Sequence, residues 1–109
     1  MEVTKYYDVK ITILRKLKVE DIHKDYAKSN IPVVCVKGQE GDEYVSKSGQ
    51  IPDKFCSGAW EGLKSKVSLL ASGSNSPYAK QDGIAIHSCN DGLHPVIFKL
   101  ERVEDPIRF

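Results

Sequence analysis

The chain lacks most of what would tie a protein to a known chemistry or compartment. No apolar run approaches the roughly 20 residues needed to span a membrane, and the opening Met1-Glu2-Val3-Thr4-Lys5 has no secretory core. The expected location is therefore cytoplasmic, without membrane contact. There is no excess of charge of one sign, since the formal net charge is +1, and nothing electrostatic points to nucleic acid. Cysteine is scarce. Three residues, Cys35, Cys56 and Cys89, form no C-x-x-C pair, and an odd number at separations of 21 and 33 makes no disulfide framework. The glycine-containing stretch from Gly38 to Asp42 lacks the lysine and helix start of a phosphate loop and reads as a turn. Internal repeats and low-complexity segments are absent as well. No cofactor is implied.

What is present is an ordinary globular composition, 40% apolar and 28% charged, in 109 residues, enough for one core and too few for two. The expected organisation is a single domain over residues 1–109. Basic residues gather at Arg15, Lys16 and Lys18, but Glu20 and Asp21 follow at once, as on a solvated surface.

The densest stretch runs from Ile84 to Arg102, two strand-like runs around Asn90-Asp91-Gly92. Those turn residues tolerate positive φ, and Pro95 sets the start of the returning run, which together predict a hairpin. Side chains alternate across a strand, so Ala85, His87 and Cys89 share one face, and Val96, Phe98 and Leu100 form the expected core face.

Earlier in the chain, Val9, Ile11 and Ile13 alternate with polar residues and predict a strand from Tyr7 to Leu14. Val19, Ile22 and Tyr26 fall at helical spacing and predict a short amphipathic helix from Lys18 to Lys28. Pro32 to Val36 and Glu43 to Ser46 read as short strands. Pro52 and Asp53 supply a helix start with Asp53 as N-cap, and Cys56, Ala59, Trp60, Leu63, Val67 and Leu70 trace the apolar stripe of a long helix that Gly73 stops. Gly58 and Gly62 cost that helix about 1 kcal/mol each relative to alanine, which implies a close approach there by a strand or a second copy of the chain. The tail, Glu104 to Phe109, reads as an edge extension or a frayed end. The fold expected is α+β, a mostly antiparallel sheet of about four to five strands packed by one long and one short helix.

Phe55-Cys56 with Ala59-Trp60, the early Val9-Lys10-Ile11-Thr12-Ile13-Leu14, and above all Cys89-Asn90-Asp91-Gly92-Leu93-His94-Pro95-Val96-Ile97-Phe98-Lys99-Leu100-Glu101-Arg102 resemble a family of small uncharacterised bacterial and archaeal proteins of about this length. The likeness covers Val9 to Glu101. His94 stands where that family often has arginine, Asn90 where it has proline and Ser88 where a second cysteine is frequent. The resemblance implies no established activity. It places Cys56 and Cys89 inside motifs and leaves Cys35 outside them.

Each candidate for chemistry carries two readings. Three positions after the Asp53 cap, Cys56 would sit in a first helical turn whose N–H groups favour an anionic sulfur. Equally, it would head the buried stripe. Cys89 beside His87 is a pairing that activates a nucleophile or binds zinc; the plainer reading is a strand-end cysteine with a surface histidine. Cys56, His87, Cys89 and His94 match no standard zinc spacing, so no metal is assigned. Asp91 and His94 could act as acid and base, although an aspartate here also closes an Asx turn. Trp60 and Phe98 serve as core anchors or as ligand platforms. The functional expectation is a binding or interaction module for a protein or small ligand, or for a second copy of itself, with its site at the hairpin turn and the start of the long helix. The alternative is thiol-based or metal-binding chemistry through Cys56 or Cys89 with His87.

Overall fold

The computed structural model describes residues 6–103. The tail from Glu104 to Phe109 lies outside the described residues. Four strands and two helices follow in the order β1 (Asp8–Lys16), α1 (Glu20–Tyr26), β2 (Glu43–Ser46), α2 (Ser57–Ala71), β3 (Ile84–Ser88) and β4 (Val96–Val103). The strands form one antiparallel sheet in the order β2-β1-β4-β3. This is the expected α+β class, with α2 covering one face of the sheet.

Alternation explains which face α2 covers. Val9, Ile11 and Ile13 of β1 point to one side, and the pairings Ile11 with Leu100 and Ile13 with Phe98 place the apolar residues of β4 beside them. Ala59, Leu63, Val67, Leu70 and Ala71 of α2 close over this layer, and Ala85 of β3 completes it. The shift in register between Ile13 and Arg15 is a bulge that leaves Leu14 exposed. On the opposite face Lys10 lies between Glu43 at 3.6 Å and Glu101 at 3.8 Å, a cross-strand ion network.

The end of α2 is fastened from several directions. Gly73 takes φ +92°, its N–H donates to Leu70 O and that of Ser74 to Leu69 O, the paired bonds of a Schellman stop. Arg102 of β4 donates to Leu70 O, Ser74 O and the Asn75 side chain, and its guanidinium lies 5.6 Å from the centre of the Tyr7 ring. One side chain thus locks the helix end, the loop beyond it and the start of the sheet together.

Three local expectations are corrected. Pro32 to Val36 forms no strand: both edges of β1 are taken by β2 and β4, and Cys35 packs against the core instead. The long helix begins at Ser57, with Cys56 and not Asp53 in the N-cap position. Lys54 adopts φ +60°, outside helical space, and the turn it makes lets Phe55 drop into the core. The short helix forms, but its stripe is not buried. Ile22 is 45% and Tyr26 80% exposed, and α1 is tied to the following segment by His23 Nε2, which donates to Ile31 O at 2.7 Å. Among the described residues no helix is long and apolar enough to cross a membrane.

Candidate functional site

Phe55 positions the site. Its buried ring packs edge-on against Tyr44 with centroids 4.9 Å apart, and it lies 5.7 Å from Phe98 and 6.4 Å from Trp60. Anchoring Phe55 places the next residue, Cys56, at the mouth of α2 with extended backbone angles. Its side chain caps none of the helix's free N–H groups, and those of the first turn have no intrahelical partner either.

The second wall is the turn between β3 and β4. Asp91 Oδ1 accepts the N–H of Leu93 at 2.9 Å, so the Asx turn forms. The other carboxylate oxygen, Oδ2, stands 3.1 Å from Nδ1 of His94. That nitrogen is closed to solvent, and the contact is not aligned as a hydrogen bond. Cys89 extends the ladder by one residue, its N–H donating to Val96 O, while its sulfur accepts the N–H of Val96 at 3.4 Å.

The turn is held close to α2 because position 62 carries no side chain. A Cβ there would stand 2.8 Å from Asn90 Oδ1 and 3.2 Å from Ser88 O. The close approach expected at the two glycines is therefore made, at Gly62, by the end of β3. Gly58 differs: a Cβ there would meet only Cys56 Sγ, at 3.8 Å, and the space is open.

The third wall is the irregular segment around Pro32, Cys35, Val36 and Lys37. Together the three walls enclose a cleft of about 470 Å³. Its floor is Ala59, Val96 and Phe98, and all three cysteines line it, with Asn90, Asp91 and His94. A neighbouring hollow of about 400 Å³ shares Lys37, Cys56 and Phe98 with it.

Of the residues singled out from the sequence, Cys56, Cys89, Asp91 and His94 meet at this cleft. Two do not. Trp60 lies half-buried against Phe55 and is not among the lining residues. His87 lines a separate hollow of about 220 Å³ with Lys66, Tyr78 and Ala79. The thiol and imidazole expected as strand neighbours thus open into different cavities. The histidine that shares the cleft with the sulfurs is His94. Cys35 was missed because nothing local marks it: a cysteine in a segment without periodicity shows its neighbours only after the chain has folded. All three cysteines are free and partly buried. Among the described residues no three His, Cys, Asp or Glu side chains are grouped so as to hold a metal ion.

Comparison with protein-family models, with curated protein sequences and with solved structures gives no match to this chain.

Proposed function

We propose that the chain is a small-molecule binding domain whose site is the cleft between the start of α2, the 89–95 turn and the 32–37 segment. The observation that carries this reading is convergence. Segments far apart in sequence, around Cys35, Cys56 and Cys89, line one concavity of about 470 Å³, within the roughly 300–1,000 Å³ typical of ligand sites. The lining is mostly apolar, with a few polar groups, Lys37 on one wall and Asn90, Asp91 and His94 on another, the pattern by which pockets combine affinity with orientation. The two motifs of the resembled family, 55–60 and 89–102, both contribute to it, which supports the same location.

The test is a nuclear magnetic resonance screen of small apolar ketones and acids against the full chain. A ligand of this cleft shifts the amide signals of residues 56–59 and 89–95 together and slows iodoacetamide labelling of Cys35, Cys56 and Cys89 in parallel. Labelling that no bound compound slows, or shifts centred on His87 and Tyr78 instead, would refute the placement.

A second reading, thiol chemistry, is favoured by one specific feature. A nucleophilic sulfur and an imidazole beside a carboxylate line the same cleft, which is the grouping that activates a thiol.

A further inference from the structure

The three sulfurs of the cleft are not equivalent, and their differences indicate which one reacts and with what. Cys89 Sγ is engaged by the N–H of Val96, which ties it into the turn. Cys35 rides on a segment without regular secondary structure, so no helix or strand fixes its sulfur. Cys56 alone is both held and free. Its backbone is set between buried Phe55 and the first residue of α2, and its side chain makes no capping bond. The side chain missing at Gly58 leaves open space within 3.8 Å of its sulfur. A substrate that enters the cleft can use that space to reach the thiol.

We propose that the cleft captures soft, apolar electrophiles of the α,β-unsaturated carbonyl class on the Cys56 thiol, with His94 as the base that takes up the thiol proton. This rests on the binding reading above and names the ligand class for the same site. The step is balanced without a further reagent. The sulfur lone pair forms a bond to the β-carbon, the carbon–carbon π bond breaks and its electrons pass through the α-carbon to the carbonyl oxygen as an enolate. The proton taken from the thiol by His94 returns to the α-carbon. The apolar floor of Ala59, Val96 and Phe98 suits the hydrocarbon part of such a molecule. The uncapped N–H groups at the start of α2 are donors for the oxygen on which negative charge develops. Asp91, whose Oδ2 stands 3.1 Å from His94 Nδ1, is the carboxylate beside that base.

The probe is 2-cyclohexen-1-one, incubated with the full chain. Adduct formation at each cysteine is followed by peptide mass spectrometry, with glutathione as the free-thiol reference. The expected result is addition at Cys56 roughly tenfold or more faster than at Cys35, Cys89 or glutathione. His94→Gln should lower the Cys56 rate by about tenfold and flatten its dependence on pH, an effect that a merely structural role would not produce. Gly58→Ala, which fills the approach beside the sulfur, should lower the rate without lowering the melting temperature. Addition at Cys56 no faster than to glutathione, or spread evenly over the three cysteines, overturns the proposal. Cyclohexanone, the saturated analogue, separates the two readings. If it protects the cysteines from iodoacetamide while the enone shows no preference for Cys56, covalent capture is wrong and the binding site stands. If it gives no protection and the enone shows no preference, both fall.

Discussion

Two glycines four residues apart on one helix should respond to the same substitution with opposite sign. Replacing glycine by alanine inside a helix gains about 1 kcal/mol of backbone propensity. At Gly58 the added methyl meets only Cys56 Sγ, at 3.8 Å, an ordinary contact, and nothing opposes the gain. Because the position lies in the first turn, the expected stabilisation is about 0.5–1 kcal/mol, seen as a rise of a few degrees in melting temperature. At Gly62 the same methyl would stand 2.8 Å from Asn90 Oδ1, 3.1 Å from its Cγ and 3.2 Å from Ser88 O. Asn90 can swing away. Ser88 O cannot, since its residue is paired with Ile97 in the ladder. Overpacking of this kind costs about 1–3 kcal/mol, so the propensity gain is cancelled or exceeded and Gly62→Ala should be destabilising by about 0–2 kcal/mol. Urea unfolding of both variants measures the two values side by side. Amide shifts in Gly62→Ala should also spread through residues 88–94, because the turn must move off the helix. If Gly62→Ala stabilises as much as Gly58→Ala, the end of β3 does not pack on α2, and the wall of the cleft described above is wrong.

Arg102→Ala should cost about 1.5–3 kcal/mol, because it removes charge-assisted bonds to Leu70 O, Ser74 O and Asn75 at once; hydrogen exchange should then rise first at residues 70–75, and uniform exchange would argue against a local clamp. Leu63→Ala, at a fully buried site facing the sheet, should cost about 2–5 kcal/mol in urea unfolding. A loss below about 1 kcal/mol would mean that the helix face is misassigned. All three cysteines should react with iodoacetamide in the native state, since each is partly exposed, with Cys89 slowest because its sulfur holds the N–H of Val96. Protection of all three until unfolding would refute an open cleft.

Much of the fold was legible in short-range pattern. Val9, Ile11 and Ile13 alternate, Ala59, Leu63, Val67 and Leu70 recur at helical spacing, and both sets are buried as their periods require. Gly73 ends its helix with the positive φ that glycine accepts most readily. Asp91 closes its turn by a bond to a residue two places away, so nothing distant was needed to foresee it. Where the outcome depended on which strands found partners, reading by period failed. Residues 32–36 look like a strand, yet both edges of β1 are taken by β2 and β4. Asp53 looks like a cap, yet the burial of Phe55 and the left-handed turn at Lys54 delay the helix to Ser57. The stripe of α1 has helical spacing and remains in solvent.

The candidate site divides along the same line. The chain by itself determined that Asn90-Asp91-Gly92 turn between two strands and that a long helix follows Pro52, though not its first residue, because turn chemistry and periodicity act over a few residues. Only the tertiary structure decided that these two places face each other, that Cys35 joins them, and that His94 shares the cleft while His87 faces another hollow. Those relations arise from packing across a sheet whose neighbours are not neighbours in sequence, and from the room left at Gly62 for the turn to close on the helix.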